Sequence, residues 1–234
     1  MTALYVLGNG SPFLNSELLY SLRTLERHAL GIDRVVVVGE KPNFIDYSKV
    51  VHAPFKDTLN NKEYSIASKI YHACEKGLVD GDFFFCNDDF FFTQDFLATV
   101  FPFFQKGALY AGFNPRGYDE YLKHTRDFLI AQKKEFFHFD VHTPIIYNSE
   151  KFIALKDAWE YSRKTIGLVV KSTYCNMYGI NGPEYKDVKL KSFGIDDYHR
   201  AIESPCFSIY DSAWKAGVFE WLKNQYPNKS KWEL

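Results

Sequence analysis

The sequence predicts an α/β fold in which a mostly parallel sheet is flanked by helices. Three observations carry that expectation. Short apolar runs of the kind buried on both faces of a parallel sheet recur at residues 4–7, 34–38 and 83–86. Segments with apolar residues at helical spacing lie between them. The chain of 234 residues, 46% hydrophobic, suits one compact domain, and no repeat, low-complexity tract or linker marks a second.

Residues 4–7 are the first strand and run into Gly8-Asn9-Gly10-Ser11-Pro12, a turn whose glycines permit close approach of backbone to a ligand. The turn is neither a dinucleotide fingerprint nor a phosphate loop, and a plain strand-to-helix turn accounts for it equally. Asn15 or Ser16 caps a helix with Leu18, Leu19, Leu22, Leu25 and Ala29 along one side. Arg34-Val35-Val36-Val37-Val38 is a second, β-branched strand, and residues 49–53 are a third, closed by Pro54. A polar loop over residues 56–61 precedes a helix from Glu63 to near Gly77, which leads into Phe83-Phe84-Phe85-Cys86. The order β-α-β-β-α-β indicates parallel connections.

Beyond this the expectations are a helix over residues 94–104, a strand over 108–112 and a helix over 118–134. Residues 136–147, where rings alternate with polar residues, suit a strand lining a site. Helices over 152–163 and 165–178, short strands at 187–190 and 204–211, and an amphipathic helix over 213–225 complete the reading.

A formal net charge of -1 provides no global attraction for nucleic acid, though a local basic face remains compatible with it. Cys74, Cys86, Cys175 and Cys206 are scattered without metal-binding spacing and read as reduced, buried thiols. No basic leader and no apolar run of membrane-spanning length is present, so the expectation is a soluble, cytoplasmic protein without a membrane span.

The chemistry concentrates at Asn87-Asp88-Asp89, framed by two phenylalanine runs and following a strand, where open α/β sheets bind ligands. Adjacent acids repel, and a hard divalent cation such as Mg²⁺ or Mn²⁺ relieves the repulsion while holding a diphosphate. An Asx-rich turn after a core strand is the bland alternative. His142, before Thr143-Pro144, is a candidate base, or else a histidine bonded to backbone. On a strand His138, Asp140 and His142 would share one face, yet no further ligand pair supports zinc. Lys171, Arg163 and Arg200 are possible diphosphate clamps. No nucleophile-elbow motif supports serine hydrolysis.

Four blocks, in order along the chain, resemble the Stealth family of capsular-polysaccharide sugar-phosphotransferase-like proteins, relatives of the GT-A nucleotide-sugar transferases. They are Tyr5 to Ser11 with Glu17-Leu18-Leu19-Tyr20-Ser21-Leu22-Arg23-Thr24-Leu25-Glu26; Phe84-Phe85-Cys86-Asn87-Asp88-Asp89-Phe90-Phe91; His142-Thr143-Pro144; and Phe207-Ser208-Ile209-Tyr210-Asp211 with the segment at residues 226–233. The chain departs from the pattern at the glycine turn, which lacks an aspartate, and at Tyr210, where asparagine is usual.

The resemblance implies a GT-A-like, Rossmann-like fold, with residues 1–112 as the nucleotide-sugar half and 113–234 as the acceptor half. It implies that Asp88 and Asp89 bind Mg²⁺ or Mn²⁺ and, with Asn87, the donor diphosphate. Gly8, Asn9, Gly10, Ser11 and Arg23 would meet the nucleotide, and His142, Asp89 and Asp211 would be catalytic. The implied reaction transfers a sugar or sugar-1-phosphate from a nucleotide-sugar to a hydroxyl acceptor, with a glycan favoured. Lys186, Lys189 and Lys191 keep a hydroxylated DNA base open as acceptor. A binding module without chemistry is the reading from another class.

Overall fold

The computed structural model describes residues 1–8, 11–110, 112 and 114–234. The chain runs through β1 (Thr2–Val6), α1 (Ser16–His28), β2 (Ala29–Leu30), β3 (Arg34–Val38), β4 (Val50–Ala53), α2 (Lys62–Glu75) and β5 (Asp82–Cys86). It continues through β6 (Phe91–Phe92), β7 (Phe96–Leu97), α3 (Tyr118–Ala131), β8 (Ile145–Asn148), α4 (Ser149–Ala154), α5 (Lys156–Lys164) and α6 (Val170–Met177). Last come β9 (Lys189–Leu190), α7 (Ile195–Glu203), β10 (Cys206–Ile209), α8 (Asp211–Ala213) and α9 (Phe219–Gln225).

The main sheet has the order β4-β3-β1-β5-β8. The first four strands are parallel and β8 joins the edge antiparallel to β5. The period-2 alternation of the apolar runs assigns their side chains to two cores. Leu4, Val36, Val38, Phe83 and Phe85 pack under α2, α4, α5 and α6, against Ile70, Phe152, Trp159 and Tyr174. Ala3, Tyr5, Val35, Val37, Phe84 and Cys86 face the other way, against Leu18, Leu22 and Leu25 of α1. Helices therefore cover both faces, which is why these strands are apolar throughout rather than alternating.

From β1 the chain steps outward to β3 and β4, then returns to the opposite side of β1 for β5. The strand order thus reverses between β1 and β5, and ligands of open α/β sheets bind beyond the carboxyl ends at such a reversal. The turn after β1 and the acids after β5 both leave from there. A second small sheet, β6-β10-β9, continues from the acids and brings the loop after β10 beside them.

Several expected elements differ. Residues 94–104 are not one helix: β7 pairs with β2, a short 3-10 turn covers Ala98–Val100, and extended chain follows. Phe96 and Phe101 turn onto Phe84, with ring centroids 5.7 and 5.6 Å away, and Pro102 forbids a continuing helix. Among the described residues of 108–112, where a strand was expected, there is one isolated bridge, Ala108 to Phe137. The strand expected over 136–147 is confined to β8, so His138, Asp140 and His142 share no strand face.

The helix expected over 152–163 breaks at Leu155 into α4 and α5, and Asn148 caps α4 by accepting from the Lys151 amide. The helix over 165–178 is only α6. The last helix is interrupted over Trp214–Val218, where Gly217 takes φ +131°, and α7 was not foreseen. Among the described residues no helix is long and apolar enough to cross a membrane. All four cysteines are free and buried.

Candidate functional site

Beyond the carboxyl ends of β1 and β5 lies a cavity of about 710 Å³, within the size range of small-molecule sites. Gly8, Asn87, Asp88, Asp89 and His142 all line it. The strand-end acids and the histidine are thus brought together from segments more than fifty residues apart, which the register of β5 with β8 makes possible. Among the described residues a Cβ at Gly8 would meet nothing within 4 Å, which leaves room for a ligand to approach the main chain there.

Asp88 sits in a field that disfavours its charge. Burial pushes its carboxyl up to about 7, and the neighbouring Asp89 and then Glu17 push the same way. Burial likewise raises the Glu17 carboxyl, with Asp211 and Asp89 adding repulsion. Lys189 Nζ stands 3.9 Å from Asp89 Oδ2. Among the described residues, no three His, Cys, Asp or Glu side chains are grouped to hold a metal ion. Asp88 and Asp89 suit the other arrangement, in which one or two carboxylates hold Mg²⁺ or Mn²⁺ and ligand phosphates with water complete the shell. Their repulsion is what such a cation would relieve.

His142 is built differently. Its main-chain N–H donates to Asp187 Oδ2 at 3.0 Å, and its Nδ1 bonds the same carboxylate oxygen. Lys106 Nζ reaches that oxygen too, at 3.0 Å. Burial would raise the Asp187 carboxyl, but the His142 ring and amide and the Lys106 ammonium outweigh it and hold the group well below the usual carboxylate range. Lys171, buried at 5% exposure on α6, donates from Nζ to the carbonyls of Val141 and Thr143, each at 2.7 Å. Its ammonium also lies 5.1 Å from the centre of the Phe90 ring.

Another wall carries Glu63, Tyr118 and Asp140. The Tyr118 hydroxyl bonds Asp140. Burial raises Asp140, yet Lys171, that hydroxyl and the two nearby histidines outweigh it and keep the carboxyl low. Glu63 goes the other way: burial, then the Asp140 charge, push it up to about 8. The two neighbouring carboxyls are thus pushed in opposite directions.

The remaining expected residues lie elsewhere. No known family model matches this sequence, and no curated protein is similar to it. The assignments therefore rest on the geometry. Asp211 and Ser11 line a smaller adjoining cavity of about 330 Å³, which shares Gly8, Asp88 and Asp89 with the larger one but not His142. The Ser11 hydroxyl is engaged locally, donating to Glu17 at 3.1 Å and accepting from the Phe13 and Asn15 amides. Asn9 and Gly10 lie outside the described residues.

Arg23, expected to meet a nucleotide, borders neither of these cavities but lines a separate one of about 410 Å³. Its guanidinium is bonded to Glu233 and to the Tyr226 carbonyl. Arg163 and Arg200 line neither of these cavities and pair with acids three residues away on their own helices. His138 is outside the cavity, with Nε2 buried and without a hydrogen-bond partner among the described residues. Asp187 and Lys106, which the sequence did not single out, carry no local pattern that could have revealed them.

Proposed function

We propose that the protein is a metal-dependent transferase that moves a sugar, or a sugar-1-phosphate, from a nucleotide-sugar to a hydroxyl acceptor, with a glycan favoured. The observation that carries this reading is the convergence, in one cavity at the strand-order reversal, of two adjacent carboxylates and an aspartate-bound histidine. The resemblance of the blocks around those residues to the Stealth family supports it.

Asp88 and Asp89 would hold Mg²⁺ or Mn²⁺, which when bound neutralises charge on the donor diphosphate and the departing nucleotide. Asn87 offers an amide to the same phosphates, and Gly8 leaves them room against the main chain. His142 is the group suited to take the acceptor proton, because its ring is held at Nδ1 by a carboxylate. Glu63, Tyr118 and Asp140 supply both donors and acceptors for sugar hydroxyls.

The test is incubation with a panel of nucleotide-sugars and Mn²⁺, with slow donor hydrolysis as readout. Hydrolysis that disappears in both Asp88→Ala and Asp89→Ala supports the assignment, and normal turnover in both removes it. A binding module without chemistry would hydrolyse no donor.

For the acceptor, one observation favours a second reading. Lys189 and Lys191 approach the half-exposed Tyr210 ring, at 4.7 and 5.5 Å from its centre, beside the cavity mouth. A ring flanked by ammonium groups suits a stacked base and its phosphates, as in modified DNA. Acceptor binding that weakens steeply with added salt supports that reading, and indifference to salt supports a neutral glycan.

A further inference from the structure

The segment carrying His142 has no regular secondary structure, yet charged side chains from three other parts of the chain fix it. Lys106 Nζ donates to the Asp140 carbonyl at 3.1 Å, and Lys171 Nζ donates to the carbonyls of Val141 and Thr143, on either side of the histidine. Asp187 Oδ2 accepts the His142 amide and bonds Nδ1. Lys106 then closes the set by pairing with that same Asp187 oxygen. Burying an ammonium such as Lys171 costs several kcal/mol unless its protons are bonded. A fold that needed only to fill this space would place an apolar side chain there.

We infer that Asp187 and Lys171 are positioning residues that hold His142 as the Nδ1–H tautomer, with the Nε2 lone pair turned to the cavity as the proton acceptor of the transfer. A neutral imidazole has one N–H, and an ionised carboxylate at Nδ1 can only accept it. Nε2 is then bare, and among the described residues no protein group bonds it. Lys171 fixes the peptide groups that flank the histidine, and so the backbone position from which the ring reaches Asp187, through two 2.7 Å bonds from a buried side chain.

In the transfer, the acceptor O–H proton passes to Nε2 and the oxygen's electron pair forms the new bond to the sugar carbon or to phosphorus. The departing nucleotide keeps the electron pair of the bond that breaks. Asp187 stabilises the imidazolium that results, without itself taking the proton. This role in turnover rests on the transfer reading; the tautomer does not.

The experiment is ¹⁵N NMR of histidine-labelled protein, with the His142 signals identified by their absence in His142→Ala among the seven histidines. The neutral ring is expected to show a protonated Nδ1 and a bare Nε2, and Asp187→Ala is expected to release it into a mixture of tautomers. Lys171→Met, with its fold checked by melting, should broaden the ring signals as the segment loosens. A protonated Nε2 in the wild type, or a tautomer unaltered in Asp187→Ala, overturns the inference. On the kinetic side, Asp187→Ala should lower kcat by about 10²- to 10⁴-fold, the worth of a positioned general base, with the donor KM unchanged. The same substitution should add nothing to His142→Ala, and additive losses would contradict the shared role. No turnover by the wild type with any donor would remove the transfer reading while the NMR result stood on its own.

Discussion

The Arg23 guanidinium grips the Glu233 carboxylate through two bonds, Nε to Oε1 at 2.9 Å and Nη2 to Oε2 at 2.7 Å, with the two side chains 11% and 3% exposed. A third contact, to the Tyr226 carbonyl at 2.9 Å, ties the segment after α9 to α1. Removing one partner of a buried pair strands the other, at a cost of about 3 kcal/mol. Arg23→Ala should therefore lower the unfolding free energy measured by urea titration by that amount and leave nucleotide binding unchanged. A loss of nucleotide affinity in a variant that stays folded would return Arg23 to the site.

Asp88 is held where burial and two neighbouring acids oppose its charge. Asp88→Asn relieves that repulsion, so in the presence of a chelator its thermal midpoint should rise, by about 1 kcal/mol of stability, as is common where a strained functional residue is neutralised. The same variant should lose metal-dependent turnover. A variant less stable than the wild type under chelation would mean that Asp88 is there for packing.

Glu63 gives a pH signature of its own. Its carboxyl is raised by burial and by Asp140 from 4.5 to about 8. A group with its folded pKa above the unfolded one binds more protons in the folded state, so its contribution is fully present below about 4.5 and is lost as pH climbs to about 8. At about 1.4 kcal/mol per unit the loss reaches a few kcal/mol. Glu63→Gln cannot ionise, so its stability relative to the wild type should grow across that window and level off above it. Urea midpoints of both proteins near the two ends of the window check this, and a difference independent of pH contradicts it.

The core of the fold was legible because the inner positions of β1, β3 and β5 are buried on both faces and are all apolar. The stretch from Phe92 to Phe104 was not, because rings at Phe96 and Phe101 pack onto Phe84 from extended chain as readily as from a helix. The acids were legible for a local reason, being the first polar residues after a core strand. Asp187 was not: it lies 45 residues from His142, and only the folded chain gives an isolated loop aspartate its partner. The Arg23–Glu233 pairing was hidden for the same reason, since Glu233 is 210 residues away. Polar residues placed just after a core strand are visible in sequence, and residues whose bonding partner is distant along the chain are not.

The account turns on Asp88 and Asp89 holding a metal and a diphosphate. Calorimetric titration of the protein with uridine, guanosine, cytidine and adenosine diphosphates, each with and without Mn²⁺, tests it most directly. The account predicts that at least one nucleotide binds only when Mn²⁺ is present, and that Asp88→Ala and Asp89→Ala each abolish this binding while keeping the fold. Nucleotide binding indifferent to Mn²⁺, or binding that survives both substitutions, would contradict it.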